Sequence, residues 1–167
     1  MMMTRNGLLK GILLVVLLPA LARSSENGLD FNKVFGLPPF IFKVFQFPGP
    51  DSTHSTLEIQ IAMVNDVLQF VKLDDGTFKA GYEISIDIMD HDGMRVAGKI
   101  LPRSLRVTTF QATNSRTLVN QEKFRFDLPP DKYSIYLDIM DAETQKHLKR
   151  QRDVNLRDFG PHKLALS

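Results

Sequence analysis

The sequence of 167 residues contains no cysteine and no tryptophan. Without cysteine there are no disulfide staples, no thiolate metal ligands, no cysteine nucleophile and no lipid attachment through sulfur. Tyrosine is scarce, at 3 residues, which leaves few rings on which a sugar could stack. An excess of charge of either sign is missing as well. The 21 Lys and Arg residues face 19 Asp and Glu, a net +2, and Arg5 and Lys10 are the only charged residues up to Ala22. Beyond Ala22 the chain is therefore neutral. Sequence-independent affinity for nucleic acid comes from clustered Lys and Arg that release counterions, so a neutral domain is a poor phosphate binder. Phosphate-binding glycine loops, the dinucleotide fingerprint and the Gly-x-Ser-x-Gly nucleophile elbow are also missing.

What is present begins with an export signal. A positively charged start carrying Arg5 and Lys10 precedes the uncharged run GILLVVLLPALA, Gly11 to Ala22. The run ends in Ala20-Leu21-Ala22, the small-x-small pattern that signal peptidase accepts, so residues 1–22 read as a signal peptide cleaved after Ala22. The apolar run is too short for a spanning helix of roughly 20 residues, so no stable membrane insertion is expected after cleavage. Residues 23–39, punctuated by Gly28, Gly36 and Pro38-Pro39, read as a linker.

From Phe40 the pattern is that of strands. FIFKVFQF, Phe40 to Phe47, belongs to a segment that holds half of the chain's 12 phenylalanines between Phe31 and Phe47. Leu57, Ile59, Ile61 and Met63 share one face of LEIQIAM, and a short run follows from Val67 to Leu73. Tyr82, Ile84, Ile86 and Ile88 then alternate with Glu83, Ser85 and Asp87, the period of an antiparallel strand with one buried and one wet face. Asp90-His91-Asp92-Gly93 marks a hairpin turn. A return strand from about Met94 to Ile100 is expected to stop at Pro102, with another from about Arg103 to Phe110. Gln111 to Gln121 reads as the longest loop. Phe124, Phe126 and Leu128, then Tyr133, Ile135, Leu137 and Ile139, continue the alternation on either side of Pro129-Pro130. A last strand carries Leu148, Val154 and Leu156.

About 8–9 short strands at this spacing predict an all-β fold, an immunoglobulin-like antiparallel β-sandwich over residues 40–159 with a tail at 160–167. ISIDIMD, Ile84 to Asp90, is echoed by IYLDIMD, Ile135 to Asp141, which suggests two hairpins with the same topological task. Tyr133 opens a strand just after a Pro-Pro break, where immunoglobulin-like sandwiches carry the tyrosine of their corner motif; an ordinary core tyrosine is the alternative.

Residues for chemistry are sparse. His54, His91, His147 and His162 fall in or beside turns, without partners at metal-ligand spacing. The acidic groups Asp87, Asp90, Asp92 and Asp138, Asp141, Glu143 could supply oxygens to calcium, which often come from neighbouring loops at one end of a sandwich; of the calcium-loop pattern only Asp90-x-Asp92-Gly is present, and the preference of acidic residues for turns is the favoured explanation. The tract KHLKRQR, Lys146 to Arg152, spreads its charge over two faces of a strand and reads as protection of a sheet edge. Phe40, Phe42, Phe45 and Phe47 cannot all share one face, so the first strand is apolar on both. Either the linker covers the second face, or this is a segment that docks on a partner protein.

Val67 to Gly93 (VLQFVKLDDGTFKAGYEISIDIMDHDG), the loop TNSR (Thr113 to Arg116), Phe124 to Asp141 (FRFDLPPDKYSIYLDIMD) and the closing VNLRDF (Val154 to Phe159) together resemble one bacterial module. It is the β-rich N-terminal region of GWxTD domain-containing proteins, and the resemblance runs from about Phe40 to Phe159. It implies an exported protein whose sandwich precedes the namesake domain. Lacking tryptophan, this chain has no Gly-Trp-x-Thr-Asp motif, so no site residue is carried over; it is expected to be either a fragment or a stand-alone sandwich. The combined expectation is an exported, periplasmic or extracellular module without enzyme activity or cofactor, which binds an envelope or extracellular protein or plays a structural part. A carbohydrate-binding module is the alternative.

Overall fold

The computed structural model describes residues 40–160. The signal segment with Ala20 and Ala22, the linker 23–39 and the tail beyond Gly160 lie outside the described residues. Among the described residues there are eight strands: β1 (Phe40–Pro48), β2 (Ser55–Val64), β3 (Val71–Lys72), β4 (Phe78–Met89), β5 (Arg95–Val107), β6 (Val119–Leu128), β7 (Lys132–Asp141) and β8 (His147–Asn155). One sheet has the order β1-β2-β6, all antiparallel. In the other, β4 pairs with β5 along one side and with β7 along the other, and β8 completes the β7 edge. Because β5 occupies the whole of one side of β4, the short β3, paired with Phe78 and Lys79, lies on the β7 side. Three strands over β5-β4-β7-β8, with the chain crossing between sheets after β2, β5 and β6, is the immunoglobulin-like arrangement.

The alternation seen in the sequence fixes which side chains meet between the sheets. Leu57, Ile59, Ile61 and Met63 of β2 and Phe124 of β6 face Ile84, Ile86 and Ile88 of β4 and Ile135, Leu137 and Ile139 of β7, all buried in one cluster. β-branched residues suit this pleated surface, and each fully buried aliphatic chain is worth roughly 1.5–3 kcal/mol.

The strand expected to stop at Pro102 does not stop. β5 runs unbroken from Arg95 to Val107, with Pro102 opposite Glu83. Within the sheet β5 pairs with β4 alone, so it is an edge strand, the place where a residue without an N–H is tolerated. The run from Val67 to Leu73 resolves into a 3-10 turn at Asn65–Val67 and the two-residue β3. The longest expected loop contains one helical turn, α1 (Phe110–Thr113), capped by the Thr109 side chain. Buried Asn65 ties that region to β2: its amide donates to the Ala112 carbonyl at 2.8 Å and its oxygen accepts from Asn120 at 2.7 Å.

The two echoed segments pair with each other. Ile84 opposes Ile139, Ile86 opposes Leu137 and Ile88 opposes Ile135. Ile86 and Leu137 hold the same place in the two copies, so a local two-fold axis passes between them at the sheet centre. Asp90 and Asp141, equivalent in the echo, both close turns with their carboxylates. Asp90 Oδ1 accepts from the Asp92 and Met94 amides at 2.9 Å. Asp141 accepts from the amides of Gln69, Glu143 and Thr144.

Candidate functional site

The aromatic first strand divides by parity. Phe40 is buried and Phe42, partly buried, packs against the core, so of the expected docking segment these two face inward, because the pleat turns even-numbered residues of β1 toward the other sheet. Ile41, Phe45 and Phe47 point the other way and are exposed at 49%, 38% and 43%. Beside them, Phe45 opposes Glu58 of β2, and Glu58 opposes Arg125 of β6. Glu58 is 2% exposed although it lies on the outer face. Gln60 Nε2 donates to it at 2.6 Å and Arg125 Nε at 2.7 Å, with Lys123 Nζ at 3.6 Å. The Gln60 amide first, and then the Arg125 guanidinium, hold its carboxyl below the usual carboxylate range. The outer face of this sheet thus runs from an apolar strip on β1, over a screened carboxylate, to a basic strip on β6.

The acidic turns cannot combine. β4 and β7 are antiparallel, Met89 opposing Ser134 and Tyr82 opposing Asp141, which places the Asp90 turn and the Asp141 turn at opposite ends of the sheet. That geometry removes the shared calcium site that neighbouring loops would need. The carboxylates are engaged locally instead. Asp87 pairs with Arg95, and Asp138 accepts from His147 at 2.9 Å with Lys149 at 3.7 Å. His54 bonds Asp51 at 2.9 Å, and that bond, with Thr53, draws the Asp51 carboxyl far below its ordinary range. His91 lies 3.4 Å from Asp92. His162 lies outside the described residues.

Tyr133 is buried, and its hydroxyl donates to the Pro129 carbonyl at 2.8 Å across the corner between β6 and β7. Tyr82 is also in the core; burial, with Glu122 nearby, pushes its phenol up to about 12. Glu122 itself bridges the sheets by accepting both Nε and Nη2 of Arg103 at 2.6 and 3.2 Å. Tyr136 is the one tyrosine on the surface, on the outer face of the five-stranded sheet at 43% exposure.

At the opposite seam of the sandwich β1 lies along β8. The Arg150 guanidinium stacks 5.4 Å from the centre of the Phe40 ring. Gln46 spans the seam with both ends of its amide, donating to the Asn155 carbonyl at 3.1 Å and accepting from the Arg157 amide at 2.8 Å. Phe40 beside Arg150 and Gln46 beside Asn155 mean that β1 and β8 run parallel. Sequence reasoning missed this seam. The available signal was parity: Leu148, Arg150, Arg152 and Val154 share a face, so Arg150 and Arg152 of the basic tract stand on the side turned toward the other sheet, both still exposed at the edge.

Among the described residues no helix is long and apolar enough to cross a membrane. No protein-family model matches the sequence, and comparison with curated proteins gives no match either. Among solved structures, the chain is similar to a glycosyl hydrolase family 2 member from Bacteroides cellulosilyticus, at 12% identity and TM-score 0.47 over 71% of this chain and 15% of that one. It is similar to a putative beta-galactosidase from Bacteroides fragilis at 12% identity and TM-score 0.43, over 66% and 15% of the two chains. A protein from Archaeoglobus fulgidus gives 14% identity and TM-score 0.35, over 70% and 96%. The chain spans about 15% of the length of the two hydrolases, and no residue role passes from them to it.

Proposed function

We propose that this chain is an exported, noncatalytic β-sandwich module of a bacterial cell envelope that holds a protein partner. The observation that carries the reading is the row Ile41, Phe45 and Phe47, exposed on the outer face of an edge strand whose other face is core. Large apolar side chains gathered on one exposed face are the kind of feature that marks an interaction surface. The N-terminal signal pattern and the resemblance to the sandwich region of GWxTD proteins support the export and the envelope setting. A photo-crosslinker placed at Lys43, between these side chains, tests the reading in the producing cell. The expected result is an adduct of one discrete mass, lost in F45S/F47S while the thermal unfolding of the domain is unchanged. Absence of an adduct, or saturable binding on a glycan array that depends on Tyr136, would overturn it. The secreted chain should begin at Arg23 by mass spectrometry.

A further inference from the structure

β8 is an edge strand. It pairs with β7 from His147 to Asn155 and with no other strand among the described residues. Its outward side chains are engaged across the ladder: His147 and Lys149 both meet Asp138, and Asp153 accepts from Ser134 at 2.7 Å. Its inward series is Leu148, Arg150, Arg152 and Val154, opposite Ile139, Leu137, Ile135 and Tyr133 of β7. The two ends of the series pack against the core. The two central guanidiniums have no carboxylate partner among the described residues. Arg150 rests on the Phe40 ring and makes one long bond of 3.5 Å to the Lys149 carbonyl, whereas the Arg152 guanidinium makes no hydrogen bond or ion pair among the described residues.

We infer that β8 accepts an extended acidic segment of a partner protein as an added strand, its carboxylates set against Arg150 and Arg152. Two features select this occupant. Apart from the Asn155 carbonyl held by Gln46, the edge presents a row of backbone N–H and C=O groups that pair with no second strand among the described residues, and an added strand satisfies such a row as a ladder. The two cations stand at alternate positions of a strand, the repeat of the side chains on one face of a facing strand, where opposite charges directly across the ladder stabilise and like charges do not. Leu148 and Val154 flank them, so the complementary segment carries an apolar residue, two acids and an apolar residue at every second position. That pattern reads the same in either strand direction. A polyanion would satisfy the charges and leave both the backbone edge and the apolar ends unmatched.

This inference deepens the reading of the domain as a partner-binding module, yet it concerns an edge that F45S/F47S leaves untouched. The probe is a capped, fluorescent peptide Val-Thr-Glu-Thr-Glu-Thr-Val, titrated with the full chain and followed by anisotropy. Saturable binding is expected, weakened by about tenfold or more in R150E/R152E and restored to that variant by the peptide with Lys in place of Glu. R152Q alone, which removes a guanidinium with no hydrogen bond or ion pair among the described residues, weakens binding in a protein whose unfolding is unchanged. Equal binding of a scrambled peptide would overturn the inference. So would unchanged affinity in R152Q, or binding of single-stranded oligonucleotide or anionic vesicles through these arginines without binding of the peptide. If the peptide fails while the Lys43 crosslink persists, the strand addition is wrong and the partner-binding reading stands.

Discussion

Tyr133 and Glu58 show how much one polar atom decides when its surroundings are apolar. Tyr133→Phe keeps the ring in the core and deletes only the donor to the Pro129 carbonyl. A buried bond of this kind contributes about 1 kcal/mol, and the orphaned carbonyl adds to the loss. Denaturant unfolding should therefore show a fall of about 1 kcal/mol or more, with an unchanged slope. Glu58 yields a prediction in pH. Its carboxyl titrates below the ordinary 4.5 in the folded protein, so the unfolded chain takes up the proton first. The stability it supplies is complete above the ordinary carboxylate range and is lost as the pH falls through the folded value. Stability measured from pH 6 downward should decline less steeply in Glu58→Gln than in the parent chain.

Among the elements, β5 is the clearest case of a strand whose sequence misleads. Proline between Leu101 and Arg103 marks an end if the strand is central, and sequence periodicity does not say which strands are edges. Pairing decides it: β5 has one neighbour, and Pro102 guards its other side. Pro102→Thr should leave stability within about 0.5 kcal/mol, as surface changes do. It should also raise concentration-dependent self-association in sedimentation, because Val96 and Ile100 stand exposed on the same strand. The elements that could be read in advance, β2, β4, β6 and β7, are those in which burial imposes a strict period of two. β3 and α1 are too short to show any period. For the candidate surface, the phenylalanines of β1 stood out by composition, whereas their division into core and surface follows from where the pleat begins. The Arg150–Phe40 contact joins residues far apart in the chain, and no local pattern encodes it.

For the whole molecule, the core is a single cluster shared by both sheets. Ile59 lies in one sheet and Ile86 in the other, and both are fully buried. Ile59→Ala and Ile86→Ala should each cost about 2–5 kcal/mol. Each should lower one common melting transition rather than split the melt, since a small domain with one core unfolds cooperatively. Calorimetry that resolved two transitions in either variant would contradict a shared core. The parallel course of β1 and β8 also has a mechanical consequence. Phe40 opens β1 at one end of the sandwich, and β8 closes at the other end with Asn155. A force that separates Phe40 from Gly160 therefore slides the two terminal strands past each other, and the Gln46 clamp, the Ser55 bond to the Arg157 carbonyl and the Arg150–Phe40 stack bear the load together. Such shear loading resists extension far better than peeling strands one bond at a time. In single-molecule pulling, Gln46→Ala should yield at lower force than the parent chain.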